Sequence, residues 1–450
     1  MRVSNRHAEL DHRRHMRLRD LKNPRLGALL LLALSVAAIV AATLLPGNGT
    51  PVEQLPPSWC LRCGGLWLMD GVSNVLLFVP LGVALAWLGW RVPTVLLTGA
   101  VLSLGVETLQ WLGIPAQRSA ALADVLTNTA GACLGLLVVR HWSGVVLARG
   151  RQAGWLAVAW TAAAAGAMIG TAIALGPRRH ERPPTPSDYR RSAIAYSPGH
   201  GWYGGEPLGA TINGQPFAHR GSGPIVVEIE REPVSTIVTA EVRGRDTASG
   251  LRSFVFVHRA ADTSAIVMLA QHGDDAVLAV TRRAWDWGLA MPRLRLEHAF
   301  AGHAEGGGQV LALRAHSSPA ELSLIAEGPP QGLRAQLRLS ATMGWAMLQS
   351  VVGVQHPLAP VVLMAWLLWL WAPAAWWSVR SRWAGESQST MATAFTALGP
   401  LAAMVCTMVA LPATVGVSRL TGLEWLMLLT AYGSGIVGAW RQLRGNIRPC

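Results

Sequence analysis

Residues 72–90 read VSNVLLFVPLGVALAWLGW and contain no Asp, Glu, Lys or Arg. A helix needs about 20 apolar residues to cross the hydrocarbon core of a bilayer, so this stretch is long enough to span a membrane. Similar runs on both sides of it predict eight spans in all: residues 27–45, 72–90, 94–112, 122–139, 152–176, 358–377, 394–411 and 422–440. The fold class that we predict is a polytopic α-helical membrane protein with about eight transmembrane helices.

The composition agrees with a membrane protein. Of the 450 residues, 51% are hydrophobic and only 14% are charged, whereas soluble globular proteins carry about 25% charged residues. The net charge is +13, and basic residues beside long apolar runs are typical of membrane orientation. No aromatic residues interleave with the basic N-terminal run of residues 12–15 (HRRH), so we expect no nucleic-acid partner.

The distribution of Lys and Arg predicts the orientation. If the N-terminus is cytoplasmic, the short inside segments hold 17 basic residues, and the short outside loops hold three: Arg62, Arg118 and Arg419. Cytoplasmic loops carry the excess of Lys and Arg in membrane proteins. We therefore expect both termini in the cytoplasm.

The stretch between the fifth and sixth spans has a different pattern. Short apolar or alternating runs, separated by turn residues, cover residues 224–230, 235–242, 253–258, 265–270, 276–281, 310–314, 322–326 and 333–339. Many short strands at this spacing predict an inserted all-β sandwich, which lies outside the cytoplasm in the predicted orientation. The predicted segments are 1–26 (basic, cytoplasmic), 27–140 (first membrane domain), 141–176 (fifth helix), 177–345 (β-sandwich), 358–440 (three-helix anchor) and 441–450 (cytoplasmic tail).

Polar residues recur inside the second, third and fourth spans, at similar predicted depths near the outer surface. They are Asp70, Asn74, Glu107, Gln110, Asp124 and Asn128, with Arg118 in the outer turn between two of these spans. Charges inside membrane helices are costly, so they indicate function by default. Two interpretations remain open: hydrogen bonds between helices, or an outward-facing pocket for a headgroup, a sugar or a peptide. Three carboxylates against one arginine favour the pocket, because the protein groups alone leave charge unbalanced.

Glycines in the fourth span predict close helix packing. Gly131 and Gly135 are four residues apart and therefore share one helix face. Small residues at this spacing let two helix backbones approach each other. We expect this face to pack against a neighbouring span.

Several of these segments resemble the VanZ-like membrane domain, over about residues 27–140. They are residues 70–82 (DGVSNVLLFVPLG), Glu107 and Gln110 in ETLQ, Arg118, and residues 124–131 (DVLTNTAG). Many relatives carry His where this chain has Asn74, so a mechanism that needs an imidazole there does not transfer. The resemblance implies a multi-pass protein of the bacterial cytoplasmic membrane with a role in the cell envelope, including an effect on glycopeptide (teicoplanin-type) susceptibility, an antibiotic-resistance function. It implies no particular reaction.

The predicted β domain is similar to the concanavalin A-like (laminin G-like) sandwich. Residues 266–282 carry this resemblance, as a pair of central strands around a Gly-Asp-Asp turn. The implied activity is binding of a glycan or a protein. Asp274 and Asp275 are interpreted as turn residues or as calcium ligands, the former being commoner in a glycine turn.

The pair Cys60 and Cys63 lies in the first predicted outer loop. Outside the cytoplasm, such a pair favours a small disulfide. A zinc half-site and a redox motif are the alternatives, but no second ligand pair and no thioredoxin-like pattern accompany it. We expect no metal and no cofactor.

Two hypotheses of function follow, besides a transporter, which the clustering of charge near one face disfavours. The first is a non-enzymatic envelope protein whose pocket binds a lipid-linked or peptide ligand and whose outer domain binds a cell-wall glycan or an envelope protein. The second is an intramembrane enzyme acting on a lipid-linked cell-wall precursor. There, Asp70, Glu107 or Asp124 acts as general acid or base, and Arg118 holds a phosphate or carboxylate. Membrane lipids are expected partners in either case.

Overall fold

The computed structural model describes residues 24–45, 58–61, 65–115, 118–177, 201–216, 225–228, 235–247, 250–258, 265–304, 307–327, 332–349, 353–382 and 390–445. It contains long helices at both ends of the chain and strands in the middle. The helices are α1 (Pro24–Leu44), α2 (Trp67–Trp87), α3 (Val92–Trp111), α4 (Leu122–Val146), α5 (Gly150–Leu175), α6 (Ala359–Ser381), α7 (Thr390–Val415) and α8 (Gly422–Gly445).

Each predicted span corresponds to one of these helices. Within the described residues, seven helices are long and apolar enough to cross a membrane. The exception is α8, whose sequence includes Glu424 and a small polar stretch around Ser434 that lower its hydropathy. The chain is therefore a multi-pass membrane protein with an inserted β domain, and the count of apolar helices is close to the predicted eight.

Residues 1–147 form one compact unit, in which α2 packs against α1 and along α4, and α4 also packs against α3. The α2–α4 contact has no room for side chains at three glycines. A Cβ atom at Gly131 or Gly135 would collide with the carbonyl oxygens of Val75 and Val79, and one at Gly82 with that of Ala132. The close packing predicted for the fourth span is confirmed.

Residues 148–450 form the second unit, in which α5 packs against α6 and α7, and α6 packs against α8. The Trp160 indole N–H donates to the Leu370 carbonyl oxygen over 2.8 Å, and its ring meets the rings of Trp369 and Trp377 edge to face. At the far end of α6, the fully buried Arg380 donates to the carbonyl oxygen of Ala148 and to the side chain of Gln442.

The β domain of this unit consists of two six-stranded sheets. The first has the order β1-β6-β7-β8-β9, with β4 also pairing to β6, and the second has the order β12-β11-β10-β5-β2-β3. The strands are β1 (Gly201–Trp202), β2 (Glu206–Ile212), β3 (Gln215–Pro216), β4 (Ile225–Glu228), β5 (Thr236–Arg243), β6 (Leu251–His258), β7 (Ala265–His272), β8 (Asp275–Val280), β9 (Arg293–Leu296), β10 (Val310–Ser317), β11 (Glu321–Glu327) and β12 (Leu333–Arg338).

The strand pattern is that of a β-sandwich. Burial alternates along β5 and β10, so each strand presents one face to the core. The pair β7–β8 is antiparallel around the predicted Gly-Asp turn. Four strands, β1, β2, β3 and β9, were not predicted. Pro207 and Gly209 interrupt the apolar alternation of β2 with a register shift, and the other three are at most four residues long.

Hydrogen bonds join the β domain to the helix ends of its own unit. The backbone N–H of Arg283 donates to the Gly176 carbonyl oxygen over 3.1 Å. Arg338 donates to the Ser418 hydroxyl over 2.9 Å and to the Arg419 carbonyl over 2.7 Å. The end of α5 and the connection from α7 to α8 therefore lie against the β domain.

Candidate functional site

A polar cavity of about 460 Å³ lies at one end of the α1–α4 bundle. Six of the seven predicted residues line it: Asn74, Glu107, Gln110, Arg118, Asp124 and Asn128. Asp70 is not among the lining residues, and it is exposed in the first turn of α2. The structure therefore brings together polar side chains from three helices and from the turn between α3 and α4.

The geometry follows from the alternating direction of the helices. α1 and α3 end at this side of the bundle, while α2 and α4 begin there. Glu107 is only 2% exposed, and its Oε2 accepts a hydrogen bond of 2.7 Å from the backbone N–H of Ala121, which precedes α4. Asp124 lies in the first turn of α4. Both carboxylates are thus placed at the positive end of the α4 dipole.

Amide side chains link these groups across the bundle. The Nδ2 of Asn128 donates to the Ser103 hydroxyl over 2.9 Å, and Asn74 hydrogen-bonds to the Asp124 side chain. The Nε2 of Gln110 donates to the Thr43 carbonyl over 3.1 Å, which ties α3 to α1. Part of the polar set therefore holds the helices together.

Two buried polar atoms of the cavity lining have no hydrogen-bond partner among the described residues. They are Oδ1 of Asn128, a residue only 2% exposed, and Nε of Arg118. Buried polar atoms in proteins are almost always paired with protein or water. Both residues line the cavity, so a molecule in the cavity can supply the missing partners.

The charges of the site are unbalanced. Arg118 attracts Glu107 and Asp124, whereas Asp124 repels both Glu107 and Asp70. One guanidinium group thus faces several carboxylates in a half-buried setting. Water, a proton, a cation or a polar ligand must share such a site.

Sequence reasoning missed the uncharged part of the lining. Ala42, Thr43, Ser73, Leu77 and Ser119 also line the cavity. Small and hydroxyl residues in a membrane helix give no signal comparable to a charge. That Thr43 and Ser73 line the cavity follows only from the packing of the helices, which places them on the same side as the charged residues.

The described residues 58–61, between α1 and α2, lie beside the start of α4. The backbone of Cys60 forms a single β-bridge with that of Ala121, and the Trp59 N–H donates to the Ala120 carbonyl oxygen over 2.7 Å. Cys60 is disulfide-bonded. Cys63, its predicted partner, lies outside the described residues, so their pairing stays a prediction.

The two adjacent acids of the β7–β8 turn contact arginines. Asp274 pairs with Arg245 over 2.7 Å. Asp275 lies 3.4 Å from Arg295 and accepts the His298 N–H. Across the described part of the chain, no group of three His, Cys, Asp or Glu residues is placed to hold a metal ion.

Comparison with known proteins assigns the first helical unit. The family model described as VanZ/LLP1 matches residues 25–145. This region is a VanZ-like membrane domain. The match covers α1–α4 with every residue that lines the cavity, and it ends before α5 and the β domain. The comparisons with curated proteins and with solved structures returned no match for the chain.

Proposed function

We propose that the VanZ-like domain binds a polar envelope ligand in its cavity, which opens toward the outer surface of the bacterial cytoplasmic membrane. The main support for this proposal is that two buried atoms of the lining, Oδ1 of Asn128 and Nε of Arg118, have no hydrogen-bond partner among the described residues. Leaving a buried donor or acceptor unpaired costs about 1–3 kcal/mol. A ligand that pairs with both atoms gains much of this free energy on binding.

The lining chemistry selects the class of ligand. Arg118 suits a phosphate or a carboxylate, because its guanidinium group can bind two oxygens at once. Glu107 and Asp124 accept hydrogen bonds from hydroxyl or amine groups. The volume of about 460 Å³ falls in the range of small-molecule sites. A lipid-linked cell-wall precursor or a peptide carries both kinds of group.

The β domain belongs to the same proposal. Residues 177–345 form an extracytoplasmic, concanavalin A-like (laminin G-like) module that binds a cell-wall glycan or an envelope protein. The whole protein acts without catalysis in the cell envelope, and it alters susceptibility to teicoplanin-type glycopeptides by holding a precursor or its product.

Acid-to-amide substitutions in the full-length chain test the cavity. Glu107→Gln and Asp124→Asn remove charge inside it, and Glu241→Gln is the control because Glu241 is an exposed acid of β5 that does not line it. We expect the first two variants to weaken binding of a polyprenyl-linked precursor about tenfold, the effect of one charge-assisted hydrogen bond, while Glu241→Gln binds normally.

The readouts are precursor binding to the purified protein, teicoplanin susceptibility of cells and protein abundance. A fall in abundance alone would assign these residues to helix packing. Unchanged binding and susceptibility at normal abundance would contradict the proposal.

An intramembrane enzyme is the second candidate. Its supporting observation is that Glu107, held through Oε2 by the Ala121 N–H, is electrostatically coupled to both Asp124 and Arg118. A carboxylate fixed beside a second carboxylate and a cation suits general acid–base chemistry. Turnover of the polyprenyl-linked precursor by the wild type, abolished in Glu107→Gln with binding retained, would favour the enzyme over the binder.

A further inference from the structure

A groove of about 330 Å³ separates α6 from α8 at the end of the second unit that is remote from the β domain. Its walls include Ala375, Ser378 and Arg382 on α6 or at its end, and Tyr432, Ile436 and Trp440 on α8. On each wall these residues recur at helical spacing. The groove therefore follows the helix axes for roughly 10 Å, at ~1.5 Å per residue.

The mouth of the groove is basic. Arg382 lines it and is exposed. Arg380 bonds to Ala148 and Gln442, so the start of α5 and the end of α8 lie at the same end. Arg149, at the start of α5, is close enough for its charge to act on Arg380.

No acidic side chain lies among the described residues that line the groove. Within the described parts of α5–α8, the single acid is Glu424. It lies at the opposite end, where it accepts hydrogen bonds from Ser340 and Thr342. Glu386, between α6 and α7, lies outside the described residues. Among the described residues that line the groove, Arg382 is the one charged side chain, and its charge is positive.

The groove becomes apolar away from its mouth. Tyr432 is 5% exposed, and its hydroxyl hydrogen-bonds to that of Ser378. Val379 and Ile436 line it with apolar side chains, and Ile436 is 38% exposed. Trp440, nearer the helix end, is 43% exposed, as expected of an aromatic residue at a membrane interface. A charged mouth, an aromatic rim and an apolar interior match the parts of a phospholipid.

We propose that this groove binds an anionic phospholipid, with the phosphate on Arg382 and the first part of an acyl chain along Val379 and Ile436. Arginine binds phosphate with two parallel hydrogen bonds. Basic pockets between transmembrane helices on the cytoplasmic side bind anionic headgroups, and the orientation predicted from Lys and Arg places this end in the cytoplasm. The site is independent of the VanZ-like cavity.

The test uses the full-length protein in detergent and counts bound lipids by native mass spectrometry. Dioleoylphosphatidylglycerol is titrated against dioleoylphosphatidylcholine, with and without inorganic phosphate. Arg382→Gln removes the proposed phosphate ligand, and Ile436→Trp fills the apolar part of the groove. Arg441→Gln is the matched control, because it removes an exposed arginine of the same end that does not line the groove.

We expect the wild type and Arg441→Gln to prefer phosphatidylglycerol, and both groove variants to bind it about tenfold more weakly. Because Ile436→Trp keeps every charge, its loss of binding assigns the site to a lipid chain as well as a headgroup. Equal losses in Arg382→Gln and Arg441→Gln would reduce the effect to general charge attraction and overturn the proposal. Displacement of the lipid by inorganic phosphate at equal potency would also overturn it, in favour of a soluble phosphate ligand.

Discussion

Glu424 has two structural functions in one side chain. Its Oε2 accepts the Thr421 N–H over 2.8 Å while the Thr421 hydroxyl faces the Glu424 N–H, which is a capping box at the start of α8. Its Oε1 accepts hydrogen bonds of 2.6 Å from the Ser340 and Thr342 hydroxyls, just after β12. One carboxylate therefore starts a helix and anchors the β domain to it.

We expect Glu424→Ala to lower the thermal unfolding midpoint of the detergent-solubilised protein by several degrees. Losing a cap costs about 1 kcal/mol, and the Ser340 and Thr342 hydroxyls lose a charged acceptor worth about 1.5–3 kcal/mol. Glu241→Ala, at an exposed position of β5, is the control and should leave the midpoint unchanged. Equal midpoints for the two variants would show that this carboxylate does not hold the domain.

Arg282 is a buried cation in the β domain, 4% exposed. Its guanidinium group donates to the Ser317 hydroxyl over 2.9 Å and to the Ser318 carbonyl over 2.8 Å. Burial lowers the pKa of Arg282 to about 10. The charge is thus costly, and the site depends on the two hydrogen bonds that it makes.

We expect Arg282→Ala to destabilise the β domain by about 2–4 kcal/mol, through a cavity and two unpaired acceptors. Arg282→Met keeps much of the volume and carries no charge to desolvate, so it should cost less. Limited proteolysis of the full-length variants measures the difference. A larger loss in Arg282→Met than in Arg282→Ala would contradict this account.

At the scale of helices, α2 and α4 touch through backbone. A Cβ atom added to Gly131 of α4 would collide with the carbonyl oxygen of Val75 in α2. Alanine is more favourable than glycine in a helix by about 1 kcal/mol. A Gly→Ala substitution should therefore lower stability only where the added methyl group has no space. The same substitution at Gly105 of α3 meets no heavy atom within 4 Å.

We therefore expect opposite signs for two identical substitutions. Gly131→Ala should reduce abundance and thermal stability, because it forces α2 away from α4 and moves Asn128 at the cavity. Gly105→Ala should be neutral or slightly stabilising. Thermal-shift measurement in detergent distinguishes the two, and equal responses would mean that the α2–α4 contact is looser than the structure has it.

The helices and most strands are predictable from the sequence because each carries its own pattern of apolar residues. β9 is four residues of alternating Arg and Leu, too short for such a pattern to stand out, and it exists because β8 pairs with it. The same distinction holds at the cavity. Glu107 and Asp124 can be identified from the sequence because they are charged residues in apolar helices. That Asp70 does not line the cavity depends on the rotation of α2 about its axis, which residue spacing alone does not determine.

At the scale of the whole molecule, topology depends on α8. It is 24 residues long, or about 36 Å at ~1.5 Å per residue. Glu424, at its start, accepts a hydrogen bond from Ser340, just after β12. Gln442, near its end, accepts one from Arg380 at the far end of α6. α8 therefore covers the same distance as α6, one of the apolar helices long enough to cross a membrane, and we expect α8 to span as well.

Cysteine labelling with a membrane-impermeant maleimide tests this topology in intact cells. Ser119 and Glu297 are separated by two crossings, α4 and α5, so Ser119→Cys and Glu297→Cys should both label from outside. Arg441 follows three further crossings, so Arg441→Cys should label only after permeabilisation. Labelling of Arg441→Cys in intact cells, together with Glu297→Cys, would mean that α8 does not cross. The arginine-rich end of α6 would then still face the cytoplasm, but α8 would not form a wall of its lipid groove.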